Sequence, residues 1–182
     1  MSLQAGDASF VVPLDGVCSA WHFVAMSEKL SEVDTELRIG EVAVELPSRT
    51  DAGIFFIGTI HTPWRTRRDC PKRGSLDGPV CSILVDDRWQ AALTDIDGYR
   101  RIQVLYWMHH ARRDLVLQTP FGKATTGTFA LRSPVRPNPI ASSIVRLVGV
   151  GGTTLQVRGL DCVDGTPLLD LKPDYPMASS RD

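Results

Sequence analysis

Between Gly127 and Ile140 the chain reads Gly-Thr-Phe-Ala-Leu-Arg-Ser-Pro-Val-Arg-Pro-Asn-Pro-Ile, with Arg132 and Arg136 four residues apart. A guanidinium offers a planar fork of donors that matches a carboxylate or a phosphate, so two on one loop form a candidate anion site. Pro134, Pro137 and Pro139 fix φ and remove three backbone donors, which predicts a stiff extended loop with unpaired carbonyls. A plain connection carrying two surface arginines accounts for the same residues. A second constellation runs from Gly159 to Pro173, where Asp161, Asp164 and Asp170 fall within ten residues. Carboxylates can accept from a cationic amine or a ribose diol, although Asp164-Gly165 is also an ordinary turn signal. His109 and His110 follow the apolar run Val104 to Met108, and an imidazole is a proton acceptor near neutral pH. If they end a strand, only one of the pair points into a given cavity. With only His22 and His61 elsewhere, no metal site is indicated.

Positioning these groups calls for strands. Leu37, Ile39, Val42, Val44 and Leu46 give a mostly alternating stretch, and Ile54 to Ile60 is an apolar run rich in β formers. Val80 to Val85, Ile102 to His109, Leu115 to Gln118, Gly127 to Leu131, Ile144 to Val150 and Thr154 to Arg158 read as further strands. The last two are joined by a Gly151-Gly152 turn. Asp86 or Asp87 caps a short helix over Asp87 to Ala92. Residues 62–79, with three prolines and two glycines, form a long loop of the kind that carries function. Many short strands with little helical periodicity imply an all-β barrel or sandwich.

Charge is unevenly placed. The formal net charge is -1, yet residues 1–53 carry 9 acidic and 3 basic side chains while 54–182 carry 12 and 17. Arg65, Arg67, Arg68, Lys72 and Arg73, then Arg100 and Arg101, Arg112 and Arg113, and Arg132 and Arg136 form a basic field suited to a polyanion. Ordinary solvated arginines explain that field equally well. Several familiar chemistries lack their motifs: there is no GxGxxG, no GxSxG elbow and no HExxH. Gly149-Val150-Gly151-Gly152 lies between strand-like runs and reads as a hairpin rather than a phosphate cradle. Cys18, Cys70, Cys81 and Cys162 are scattered without CxxC spacing, which fits reduced thiols and a cytoplasmic location. The longest apolar run is far short of the ~20 residues a membrane helix needs.

Five stretches in order carry a resemblance: Ile57 to Trp64, Cys70 to Gly74, Tyr106 to His110, Gly127 to Ile140 and Leu160 to Pro173. Over about residues 54–176 the chain resembles the TrmO family, also called YaeB-like or TsaA-like. The resemblance implies an all-β fold with minor helix, a small single-sheet β-barrel, typically homodimeric. It implies an S-adenosyl-L-methionine-dependent methyltransferase that modifies N6 of threonylcarbamoyladenosine beside the tRNA anticodon. It places cofactor contacts at Pro71, Lys72, Arg73, His109, His110, Arg132, Ser142, Cys162, Val163, Asp164 and Gly165. Within that map Arg132 can hold the methionine carboxylate, Asp164 the amino group or ribose, and loop carbonyls can face the sulfonium. Lys72-Arg73 stands where an Arg-Gln pair is common in the family, and Ala141 where glycine is frequent.

The organisation expected is an acidic, partly strand lead over 1–53, a barrel domain over 54–176 and a tail over 177–182. Candidate proton acceptors are His109, His110 and Asp161, and the sequence does not choose among them. Candidate RNA contacts are Arg65, Arg67, Arg68, Arg112, Arg113 and Arg136. No metal, membrane or DNA partner is expected. Two rival readings accompany this one: methylation of another RNA nucleoside or a small metabolite, and a non-catalytic RNA- or cofactor-binding module. Aromatic content of 7% and the absence of an RNP-like sequence argue against a pure single-strand binder.

Overall fold

The structure, a computed structural model, describes residues 36–175. The expected lead before residue 36, with Cys18 and His22, and the tail over 177–182 lie outside the described residues. The strands are β1 (Val42–Ala43), β2 (Gly58–His61), β3 (Cys81–Val85), β4 (Arg101–Trp107), β5 (Leu115–Gln118), β6 (Thr126–Gly127), β7 (Ile140–Gly151), β8 (Thr154–Arg158) and β9 (Thr166–Pro173). Six of them close an antiparallel barrel in the order β2-β3-β8-β7-β4-β9, so the expected barrel is present. It is joined by a second sheet that the sequence reading did not include, ordered β1-β5-β6.

Period-two burial explains the barrel. Along β4, Ile102, Val104 and Tyr106 are buried while Gln103, Leu105 and Trp107 are half-exposed. Ile60, Ile83 and Leu155 lie opposite one another on β2, β3 and β8 and are fully buried, forming one interior row. At the closing edge Gly58 pairs with Leu168, and a Cβ on Gly58 would lie 2.1 Å from the Leu84 carbonyl oxygen, so only glycine fits there.

Several local expectations shift. The alternating stretch from Leu37 yields only the two residues of β1, because a turn at Arg38 to Glu41, with Gly40 at φ +85°, interrupts the extended chain. The apolar run from Ile54 pairs only from Ile57, whose N–H donates to the Leu168 carbonyl at 2.9 Å. The short helix is a 3-10 helix, Asp87–Leu93, with Asp86 at its N-cap but without a side-chain cap bond. The strand expected over Gly127 to Leu131 is instead a 3-10 turn, Thr128–Ala130. The β7–β8 turn falls at Gly152 and Thr153, with Gly152 at φ +61°, because Gly151 still pairs with Thr154. β1 pairs with β5, so the described part of the acidic lead is built into the second sheet.

Leu155→Ala is expected to lower stability by about 2–5 kcal/mol, since the barrel interior cannot collapse onto the lost methyls. Urea unfolding followed by circular dichroism checks this, with Val148→Ala on the exposed barrel face as the control, expected to cost much less.

Candidate functional site

The arginine-proline segment, expected to be extended, bends at Leu131, Pro134 and Arg136 to Asn138, and several of its carbonyls are engaged within the chain. Met108 donates its N–H to the Pro139 carbonyl at 2.8 Å, Arg113 Nε donates to the Pro137 carbonyl at 2.5 Å, and Gln118 Nε2 donates to the Val135 carbonyl at 2.8 Å. Arg136 Nη2 folds back onto the carbonyls of Leu131 at 2.5 Å and Thr128 at 3.2 Å. With the proline nitrogens unable to donate, a backbone N–H and side chains from neighbouring segments meet these carbonyls. Gln118 is the buried anchor, since its amide also donates to the Thr128 hydroxyl at 2.8 Å, which donates to the Leu115 carbonyl at 2.7 Å.

The aspartate-rich segment divides by role. Asp161 accepts from the Tyr106 hydroxyl at 2.6 Å, the Ser143 hydroxyl at 3.3 Å and the Gly74 N–H at 3.2 Å, so one carboxylate ties β4, β7 and the 71–74 loop together. Burial, and then the adjacent Asp161 charge, push the Tyr106 phenol far above its usual range, which keeps it a donor. Gly74 sits so close to Gly159 that a Cβ would lie 1.8 Å from the Gly159 carbonyl oxygen. Cys162 points into the barrel core and burial pushes its thiol up to about 12, so only its backbone remains for a ligand. That carbonyl accepts the Thr62 hydroxyl at 2.9 Å. Asp164 Oδ1 is 3.2 Å from His61 Nδ1 and accepts the Thr62 N–H at 3.1 Å, while Gly165, at φ +80°, donates to the Ile60 carbonyl at 2.9 Å. These bonds strap the start of the 62–79 loop to the Cys162 to Gly165 turn.

Between the two segments opens a cleft lined by Arg67, Met108, His109, His110, Ala111, Pro134, Val163 and Thr166. β4 ends at Trp107, so the histidines lie in a turn rather than on a strand. Alternation then no longer applies, and both rings reach the cleft with centroids 3.8 Å apart. The expectation that only one could do so is corrected on that ground. Of the residues named from sequence, His109, His110 and Val163 line the cleft, and Arg67, expected to face RNA, joins them. Pro71, Lys72 and Arg73 are exposed on the loop that Gly74 anchors, and Arg132 is exposed two residues before Pro134. Ser142 accepts from Gln103 Nε2 at 2.7 Å on the outer barrel face. Met108, Ala111 and Thr166 line the cleft without having been singled out, because apolar residues and a strand-end threonine carry no chemical signal until the fold gathers them, and Pro134, read only as a stiffening residue, joins them.

The arginines also divide. Arg65, Arg67 and Arg68 are exposed. Arg112 makes paired bonds of 2.9 Å from Nε and Nη2 to Asp114 and reaches the Glu36 carbonyl at 3.3 Å, while Arg113 lies over the Trp107 ring at 5.4 Å. Arg112, Arg113 and Arg136, expected to contact RNA, thus each direct donors to acceptors inside the chain. Among the described residues, no group of three or more His, Cys, Asp or Glu is placed to share a metal ion, and no helix is long and apolar enough to cross a membrane.

Comparison with known proteins matches residues 59–180 to the model of the tRNA-methyltransferase O N-terminal domain. The chain is 51% identical over 145 residues to a probable S-adenosyl-L-methionine-binding protein, VirR, of Rhizobium radiobacter, covering 79% of this chain and 83% of that one. It is 31% identical over 137 residues to the tRNA (adenine(37)-N6)-methyltransferase of Escherichia coli, covering 68% of this chain and 58% of that one. The crystal structure of TrmO from Pseudomonas aeruginosa superimposes with a TM-score of 0.59 at 28% identity, covering 72% of this chain and 60% of that one. The chain therefore spans about three fifths of the length of the solved structure it matches.

The Arg112–Asp114 pair gives a pH signature. Its hydrogen bonds to Arg112 hold the Asp114 carboxyl below its ordinary value of 3.8, so its stabilisation is present above pH 3.8 and is lost as pH falls through the lower native value. Asp114→Asn is expected to melt below the wild type at pH 7, with the gap narrowing as the pH is taken below 3.8. Thermal melts across that range check it.

Proposed function

Because the chain belongs to the tRNA-methyltransferase O family, we propose that it is an S-adenosyl-L-methionine-dependent methyltransferase acting on tRNA. The acceptor proposed is N6 of threonylcarbamoyladenosine beside the anticodon. One observation carries the reading: the cleft that the family's arginine-proline and aspartate-rich segments wall between them brings two imidazoles and a guanidinium against an apolar lining.

The lining fits the cofactor. Met108, Ala111, Pro134 and Val163 offer soft apolar contacts, with the Arg67 cation beside them. When bound, S-adenosyl-L-methionine supplies a methyl group made electrophilic by its cationic sulfur. The chain's own contribution is alignment, bringing the attacking nitrogen and the methyl to about 3–3.5 Å, and exclusion of water by the apolar wall. Arg132 is placed on the same loop as Pro134 to hold the methionine carboxylate, with Pro71, Lys72, Arg73 and the Val163 to Gly165 turn completing the surround. An imidazole nitrogen of His109 or His110 takes the N6 proton, a modest demand because the acyl group on N6 makes that proton more acidic. Asp161, with three hydrogen bonds already accepted, acts by positioning the 71–74 loop rather than as the base. Arg65 and Arg68 meet tRNA phosphates.

The same reading makes the protein cytoplasmic and homodimeric, with residues 54–176 as the catalytic barrel. Support for the dimer comes from the outer face of β4 and β7, where Trp107 lies 6.4 Å from Phe56 and Ile140 and Ile144 are 45% and 40% exposed.

Incubation with the cofactor and tRNA carrying threonylcarbamoyladenosine should add one methyl to that nucleoside, read by mass spectrometry of the digest; retained cofactor binding without methylation would overturn the tRNA assignment. Arg132→Ala should weaken cofactor binding at least about tenfold by calorimetry, and more than Arg136→Ala, which loses only internal bonds. Light scattering should give about twice the 20.0 kDa chain mass, and Ile144→Glu should shift it toward one chain.

A further inference from the structure

The second sheet ends in features that its packing does not use. Phe121, at the tip of the hairpin between β5 and β6, is 93% exposed, and Phe129, in the turn that follows β6, is 81% exposed. Rings left in water to this degree contribute nothing to the core, and a pair of them marks a surface for a partner.

Their surroundings are cationic. The Arg38 guanidinium stands 5.1 Å from the Phe121 ring centroid and pairs with Glu41 at 3.3 Å, which fixes it in place. Lys123 is exposed on the same tip. The tip is also held in shape. The Thr119 hydroxyl bonds the Thr125 hydroxyl and the Ile39 carbonyl at 2.9 Å each, Glu41 accepts the Thr119 N–H at 3.2 Å, and Lys123 donates its N–H to the Pro120 carbonyl at 3.0 Å. A preset arrangement lowers the cost of ordering on binding.

Aromatic faces beside fixed cations are what an unpaired stretch of nucleic acid recognises: bases stack on the rings and phosphates meet the charges. The surface leads to the cleft, since Gln118 of β5 bonds both Thr128, next to Phe129, and Val135, next to the cleft residue Pro134.

Resting on the tRNA reading above, we propose that the β1-β5-β6 sheet is an RNA-docking surface, on which unpaired nucleotides of the anticodon loop stack on Phe121 and Phe129 while Arg38 and Lys123 meet their phosphates. The test is fluorescence anisotropy of a labelled anticodon stem-loop RNA against the full chain. Phe121→Ala should weaken binding about tenfold, whereas Phe121→Trp, which can still stack, should bind within about twofold of the wild type. Lys123→Ala should lower the slope of log affinity against log salt by about 0.7. Cofactor affinity measured without RNA, and mass by light scattering, should be unchanged in Phe121→Ala. Unaltered RNA affinity in that variant overturns the proposal, as does a change in assembly state, which would make the surface a protein contact. A wild-type chain that methylates tRNA yet ignores Phe121 overturns the docking surface alone; one that binds cofactor but no RNA overturns the tRNA reading beneath it as well.

Discussion

Three prolines between residues 134 and 139 cannot donate hydrogen bonds, so the carbonyls around them must be met by donors from elsewhere. The chain supplies those donors from three directions: the backbone after β4 at Met108, the guanidinium of Arg113, and the amide of Gln118 on the second sheet. Met108 and Arg113 fix the loop to the β4–β5 connection, and Gln118 fixes it to β5. The loop becomes a rigid wall, Pro134 keeps its place at the cleft, and the turn holding His109 and His110 is pinned against it through Met108. A loop with ordinary backbone donors could have closed on itself and left the second sheet unattached.

The opposite wall is set by one carboxylate. Asp161 gathers Tyr106 and Ser143 from the barrel and Gly74 from the long loop, and the close approach of Gly74 to Gly159 leaves no room for a side chain between them. Charge-assisted hydrogen bonds of this kind are stronger than neutral ones, and this one links residues 87 positions apart in sequence. The barrel therefore supplies more than a core: its rim residues determine where two otherwise irregular loops can lie.

A cation serves different ends according to what surrounds it. Arg112, Arg113 and Arg136 satisfy a carboxylate or bare carbonyls within the fold, whereas Arg65, Arg67, Arg68 and Arg132 are turned outward or toward the cleft. The basic excess after residue 53 is thus partly structural. Part of what is left facing solvent lies on the long loop and on the arginine-proline segment, at Arg65, Arg67, Arg68, Lys72, Arg73 and Arg132.

By itself the sequence determined five of the six barrel strands, because burial on one face imposes a period of two that Ile102, Val104 and Tyr106 display; the sixth, β9, was hidden in the segment read for its aspartates. It also determined the stiffness of the proline segment and the order of family-like motifs, since both are properties of local residue identity. It did not determine where pairing stops. The runs from Leu37 and Ile54 are β-like yet mostly unpaired, and the strand expected to contain His109 ends at Trp107, because strand length depends on a partner edge that lies far away in sequence. Only tertiary structure decided that both histidines share the cleft, that Cys162 belongs to the core, and that three of the arginines are spent on internal acceptors. Those outcomes depend on which distant carbonyl or carboxylate comes within hydrogen-bonding range, and no local pattern encodes that distance.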